Sequence, residues 1–340
     1  MSDIFEKNFS RRDFLKMVSL LGTTVFLGDF FALRQKSKEK MEREIDPVVP
    51  VGMARGDSVA DSVRRAIKLA GSLDFIKSGQ SVLVKPNVNS DDPYPGTTNP
   101  ELVFEVVNMV REKDPQIIIV ADRSNPWWDT LKAMKKVGIY EAAVQGGAEV
   151  VVFSKGDYVK VNPENSYHWP QGFYLPDLVR QVDHIISLPV AKTHIIADFT
   201  MGIKNWVGLI PPSDRKFLHL KEREKEHFGS MISEIHLGKK PTFLVMDATK
   251  VFLSGGPSHG DLAEPGLVIA SSDLVANDVT GLALLKTLGT IEEIQRRSVW
   301  DQPQIKRAVE LGLGIKGPSE IVLKTYGIPE EEKIRKQLIS

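Results

Sequence analysis

The chain has 340 residues, 42% hydrophobic and 26% charged, with 26 Gly and 20 Pro, a globular composition that excludes a fibrous or wholly disordered protein. Lys+Arg and Asp+Glu are both 44, so the formal charge is zero and no global basic field draws in nucleic acid. The lack of Cys excludes disulfides, thiolate zinc sites, Cys-ligated iron–sulfur clusters and cysteine nucleophiles, and leaves any metal ion to His, Asp, Glu, Asn or carbonyl oxygen.

In chain order, residues 1–33 come first and read as an export address. Ser10-Arg11-Arg12-Asp13-Phe14-Leu15-Lys16 precedes the apolar stretch Met17 to Leu33, which only Gly, Ser, Thr and Asp29 interrupt. A polar start, the Arg11-Arg12 pair and a moderately apolar segment resemble a twin-arginine translocation (Tat) signal, forming an N-terminal signal helix. The Tat translocase is then the partner during export. The destination is the periplasm or the outer face of the cytoplasmic membrane, with membrane contact only through this segment. The stretch is short of the about 20 apolar residues of a permanent span. Cleavage after Ala32 and retention as an uncleaved anchor are both open. Residues 34–46 form a charged linker.

Residues 47–340 read as one large α/β domain. Apolar runs rich in β-branched residues recur at 82–84, 117–120, 150–153, 185–188, 243–246 and 267–270, without the alternation of a half-exposed strand. Helical patterns lie between them: from the cap Ser58 through Ile76, Pro100 to Lys113, Trp127 to Gln145, and Leu274 to Leu288 behind Asp273. This order predicts a mainly parallel twisted sheet with helices on both faces. Residues 154–176, with three prolines among Tyr167, His168, Trp169 and Phe173, read as a loop or lid excursion. In such sheets ligands bind beyond the carboxyl ends of the strands, which singles out Lys85, Asn87, Asp122, Lys192, His194 and Asp247.

Val84-Lys85-Pro86-Asn87, Thr97-Thr98-Asn99-Pro100-Glu101, Leu188 to His194, Met201-Gly202-Ile203-Lys204-Asn205-Trp206-Val207-Gly208 and Gly255-Gly256-Pro257-Ser258-His259-Gly260 together resemble domain of unknown function family 362. Their order and spacing cover the chain from about residue 50 to 315. The resemblance implies an α/β domain of unsettled activity. Some relatives carry an additional Cys-rich iron–sulfur segment, which is missing here. Family members commonly show His where this chain has Asn99, and tend to show a His near His219.

Lys192 and His194 stand two apart, so in an extended strand both face one way. An ammonium there can hold an anion while an imidazole moves a proton. Lys192, His194 and Asp247 are accordingly the expected catalytic group, with Asp247 as orienter. Lys85, Asn87, Lys204 and Asn205 are the expected substrate-binding residues. With them goes the Gly255, Gly256, His259, Gly260 loop, whose N–H groups can form an anion nest. His194, His219 and Asp247 are the candidate ligands for a non-thiolate metal ion. Solvated packing, turn capping and tight-loop roles are the competing readings for each. Asn277 and Asp278, inside an apolar helix, need buried partners. Three lysines in one crevice need compensating carboxylates or an incoming anion, so the expected ligand is a small anion. The chain reads either as an exported enzyme acting on such a substrate or as a non-catalytic ligand-binding or assembly protein of the cell envelope.

Overall fold

The computed structural model describes residues 48–153 and 157–340. The twin-arginine segment and the linker, with Arg11 and Arg12, lie outside the described residues. Among the described residues no helix is long and apolar enough to cross a membrane.

Eight strands form the central sheet: β1 (Val49–Ala54), β2 (Ser81–Pro86), β3 (Ile117–Asp122), β4 (Glu149–Val152), β5 (His184–Leu188), β6 (Phe243–Ala248), β7 (Leu267–Ser271) and β8 (Ile321–Tyr326). Their order across the sheet is β8-β1-β7-β6-β5-β2-β3-β4. All neighbours run parallel except β7, which is antiparallel to both β1 and β6. The α/β class with a mainly parallel sheet therefore holds. One detail does not: the polar end of 267–270, Ser271 to Asp273, lies at the opposite edge from the other strand ends. An apolar run carries no record of its direction.

The inner strands are buried on both faces, and successive residues feed two separate cores. Val82, Val84, Ile118 and Val120 pack on one side, Leu83, Ile119, Leu244 and Met246 on the other. The first side is covered by α1 (Val59–Leu69), α2 (Pro100–Arg111), α3 (Thr130–Lys136) and α4 (Ile139–Gly146). The second is covered by α5 (Gly202–Asn205), α6 (Pro212–His219), α7 (Lys225–Glu234) and α8 (Leu274–Leu288). A Cβ on Gly52 would meet the Ala66 carbonyl at 2.1 Å, so this glycine lets α1 lie directly on β1.

Two expected helices are shorter than their apolar patterns. Ser58 caps α1 by accepting from the Asp61 N–H at 3.1 Å, but Gly71 and Ser72 at φ 113° and 72° end it before Ile76. The 127–145 pattern splits at Gly138, φ 81°, into α3 and α4, and Asp129 caps the first. Residues 158–161 and 173–176, expected as loop or lid, pair as an antiparallel hairpin. Trp169, Phe173 and Leu175 are buried in the second core and hold it down.

Candidate functional site

β2 and β3 are register-matched neighbours, so Lys85 and Asp122 emerge together at their carboxyl ends. Both are buried, and Lys85 Nζ donates to Asp122 Oδ1 at 2.6 Å, to the Pro86 carbonyl at 3.0 Å and to Asn205 Oδ1 at 3.2 Å. The other carboxylate oxygen accepts the Val88 N–H at 2.8 Å. Burial pushes the lysine down and the carboxyl up, and the opposite charge of each partner resists that shift. With these partners supplied, the pair stands ionised. Gly208 closes over it: a Cβ there would fall 2.4 Å from Asp122 Oδ1 and 2.6 Å from Lys85 Nζ.

The four-residue helix α5 carries Lys204 and Asn205. Its first turn is fixed by Asp278 of α8, whose two oxygens accept the Gly202 and Ile203 N–H groups at 2.8 Å each. Burial pushes this carboxyl up to about 7 against those two bonds. His236 Nε2 donates to the Ile203 carbonyl at 2.9 Å, and its ring stacks on Trp206. Asn205 Nδ2 reaches Ser187 Oγ at 3.0 Å, which locks the end of α5 onto β5. The intervening Lys204 is half-buried and has no hydrogen-bond or ion-pair partner among the described residues. Burial first, then the charge of Arg215, lowers its ammonium to about 7. Arg215 of α6 is buried, donates to the Ile210 and Arg123 carbonyls, and faces no carboxylate within ion-pair distance among the described residues; burial lowers it to about 10. Arg123, next to Asp122, donates to the Phe153 carbonyl.

These groups enclose a cavity of about 40 Å³. Among the described residues its ionisable lining is Lys85, Arg123, His194, Lys204 and Arg215 against one carboxylate, Asp122, which Lys85 already neutralises. Asn87 contributes a buried Oδ1 that has no partner among the described residues. An outer chamber of about 760 Å³ shares His194, Lys204 and Arg215 with the inner one, so the two form one crevice beyond the strand ends.

His194 enters this crevice in a defined protonation state. Its Nδ1 accepts the N–H groups of Ile196 and Ala197 at 3.1 and 3.3 Å, so the proton of the neutral ring sits on Nε2. Burial, followed by the charges of Lys204 and Lys192, holds it well below its ordinary range. As placed, His194 presents a hydrogen-bond donor to the crevice, with Nδ1 engaged and Nε2 carrying the proton.

Lys192 and Asp247 do not line the crevice. Lys192 Nζ donates to the carbonyls of Pro95, Gly96 and Pro257 at 3.1, 2.5 and 2.8 Å and ties two loops together. Burial and the charge of Lys204 lower it to about 7, against the charges of Asp92 and Asp247, which favour the ammonium. Asp247 Oδ1 accepts from Tyr94 Oη, Thr249 N and Thr249 Oγ1 at 3.0, 3.0 and 2.9 Å, and Oδ2 accepts the Asn99 N–H at 3.1 Å. Both groups, expected as catalytic, are engaged in holding loops together here. Asn99 itself caps α2 by accepting the Glu101 N–H at 2.9 Å.

The glycine loop is tightly packed, and one of its N–H groups is already engaged. Gly256 donates its N–H to the His259 carbonyl at 2.6 Å, and its absent Cβ makes room for the Thr193 carbonyl, which a side chain would meet at 2.0 Å. Gly255, His259 and Gly260 lie off the crevice, and of this loop Pro257 reaches its rim. His219 is on the outer wall, its Nδ1 3.1 Å from Glu222. Among the described residues no group of three or more His, Asp or Glu is placed to hold a metal ion.

Of the residues expected from sequence, Lys85, Asn87, His194, Lys204 and Asn205 come together. Arg123 and Arg215 were missed. Arg123 directly follows a strand end and was open to the same rule that found Asp122, whereas Arg215 stands in Asp214-Arg215-Lys216, which reads as a solvated helix face.

A family model described as Domain of unknown function (DUF362) matches residues 82–283. The Thylakoid-associated protein sll1697 of Synechocystis sp. is 27% identical over 282 residues, covering 80% of this chain and 84% of that protein. The lactate racemase apoprotein from Thermoanaerobacterium thermosaccharolyticum aligns at a TM-score of 0.43 and 13% identity, covering 85% of this chain and 86% of that one. A crystal structure of a protein from Thermotoga maritima aligns at 0.43 and 11%, covering 64% and 56%. Likenesses of that degree carry no argument about chemistry.

Proposed function

This chain belongs to the DUF362 family, and from that premise we propose that its strand-end crevice binds a small organic anion. The carrying observation is that Lys204 and Arg215 share the cavity with no carboxylate left to balance them. A buried surplus of positive charge must shed a proton or be completed by an anion, and Arg215, lowered only to about 10, keeps its proton at neutral pH. Lys204 and Arg215 supply the charge, and His194 Nε2–H supplies an oriented donor. In the enzymatic form of this reading Lys204, titrating near neutrality, moves the proton. Titration calorimetry with a panel of carboxylates and phosphates tests it. Wild type binds members of the panel, and Lys204→Met loses at least tenfold, about 1.4 kcal/mol; equal affinity in the variant overturns the reading. Turnover of a bound member separates an enzyme from a binding protein.

The same reading places the protein outside the cytoplasm, by the twin-arginine route, in the periplasm or on the outer face of the membrane. The Ser10 to Lys16 motif supports it. Cell fractionation of an Arg11→Lys/Arg12→Lys variant is expected to find the protein retained; unaltered export overturns it.

A further inference from the structure

We infer that the ligand is an amphiphilic anion, one carboxylate or phosphoryl head carrying an aromatic or branched aliphatic body, rather than a small free anion; the inference rests on the anion reading above and narrows it. The crevice has two compartments of unlike size and chemistry. The inner one, about 40 Å³, has room for about three water-sized groups and carries the Lys85–Asp122 pair in its wall. That suits a head group and nothing larger. The outer one, about 760 Å³, is in the range of pockets that hold whole small molecules.

The walls of the outer compartment are mostly apolar: Pro126, Trp127, Ile195, Ile196, Val207 and Pro257. Trp127 is 88% exposed and Ile195 71% exposed, although both stand in an otherwise well-buried fold. Large apolar side chains left facing water around a polar neck are the mark of a surface that another apolar group covers. Charge complementarity selects what that group is attached to, because Lys204, Arg215 and the His194 donor lie in the walls of both compartments. A free phosphate or acetate would satisfy these cations and leave the whole outer compartment as water against tryptophan and isoleucine.

The test uses the full-length protein and five probes: acetate, inorganic phosphate, 4-phenylbutyrate, phenyl phosphate and the neutral 4-phenylbutanol, read by calorimetry and by tryptophan fluorescence. The expected result is that at least one phenyl-bearing anion binds ten times more tightly than its small counterpart, with a blue shift in emission. The pair that shows the gain identifies the head as carboxylate or phosphoryl. In Trp127→Ala/Ile195→Ser, both surface positions whose replacement leaves the core intact, that advantage falls to about twofold or less. Acetate or phosphate binding as tightly as the phenyl-bearing anions overturns this inference and leaves the anion reading standing. Binding of 4-phenylbutanol as tight as 4-phenylbutyrate, or no binding by any probe, overturns both.

Discussion

Two clusters of charge lie at the carboxyl ends of neighbouring strands and behave differently. Around Asp247 and Lys192 the partners named above answer the charged atoms: four bonds onto the carboxylate and three carbonyls around the ammonium. Around Lys85, Lys204 and Arg215 one pair is closed and two cations face open space. Position at a strand end does not separate the two; saturation does. The first cluster is a lock that joins loops, and the second is the one proposed above to take a ligand.

The largest expected effect is at the lock. Asp247→Ala strands the Thr249 and Asn99 N–H groups in the interior and removes one partner of the Tyr94 hydroxyl, for a loss of about 3–5 kcal/mol of unfolding free energy in denaturant titrations. A loss under about 1 kcal/mol breaks the comparison. Next, Lys192→Met leaves three carbonyls unanswered and lowers stability by about 2–3 kcal/mol. The same substitution at Lys204 has the opposite sign. Its folded pKa, about 7, lies below the ordinary 10.5, so between those values the unfolded chain binds more protons and stability rises with pH. Below about pH 7 the full penalty of the unpartnered charge stands. Lys204→Met is therefore expected to stabilise the ligand-free protein by about 1–3 kcal/mol at pH 6, water in the crevice screening the remainder, and to lose that advantage as the pH approaches about 10. Destabilisation by Lys204→Met at pH 6 means that this lysine has a structural partner. The smallest effect is the pH dependence of anion affinity. It should be flat below about pH 7 and fall toward tenfold per unit above it, as Lys204 deprotonates; a profile flat to pH 9 removes Lys204 from the head-group site.

Much of the sheet was legible because buried parallel strands are continuous apolar runs, and 82–84, 117–120 and 185–188 are such runs. β1 was not, since Pro50 and Gly52 read as breakers while Gly52 is there to admit α1. β8 alternates exposed and buried residues at an edge of the sheet and gives no such run. In the site, the strand-end rule found Lys85 and Asn87, and an apolar stretch with a lone lysine found Lys204. That Lys192 points into loop carbonyls and His194 into the crevice depends on contacts from residues 95–96, 257 and 196–197. No local pattern at 192–194 encodes those contacts. Asp278 was conspicuous as a buried carboxylate, but its partners stand 75 and 76 residues away in sequence.

The position of β1 bears on the order of events during synthesis. This strand follows directly after the N-terminal segment, yet it pairs with nothing until β7 exists: Val51 lies opposite Ser271, and Val49 opposite Ile321. At about 5–20 residues per second, roughly 10–40 s pass between the appearance of β1 at the ribosome and that of its first neighbour. Throughout that interval the residues next to the N-terminal segment are an unpaired strand, and closure by β8 waits for the last twenty residues of the chain. Completion of the sheet is thus an event at the very end of synthesis, although the strand at its centre of closure is the first to be made.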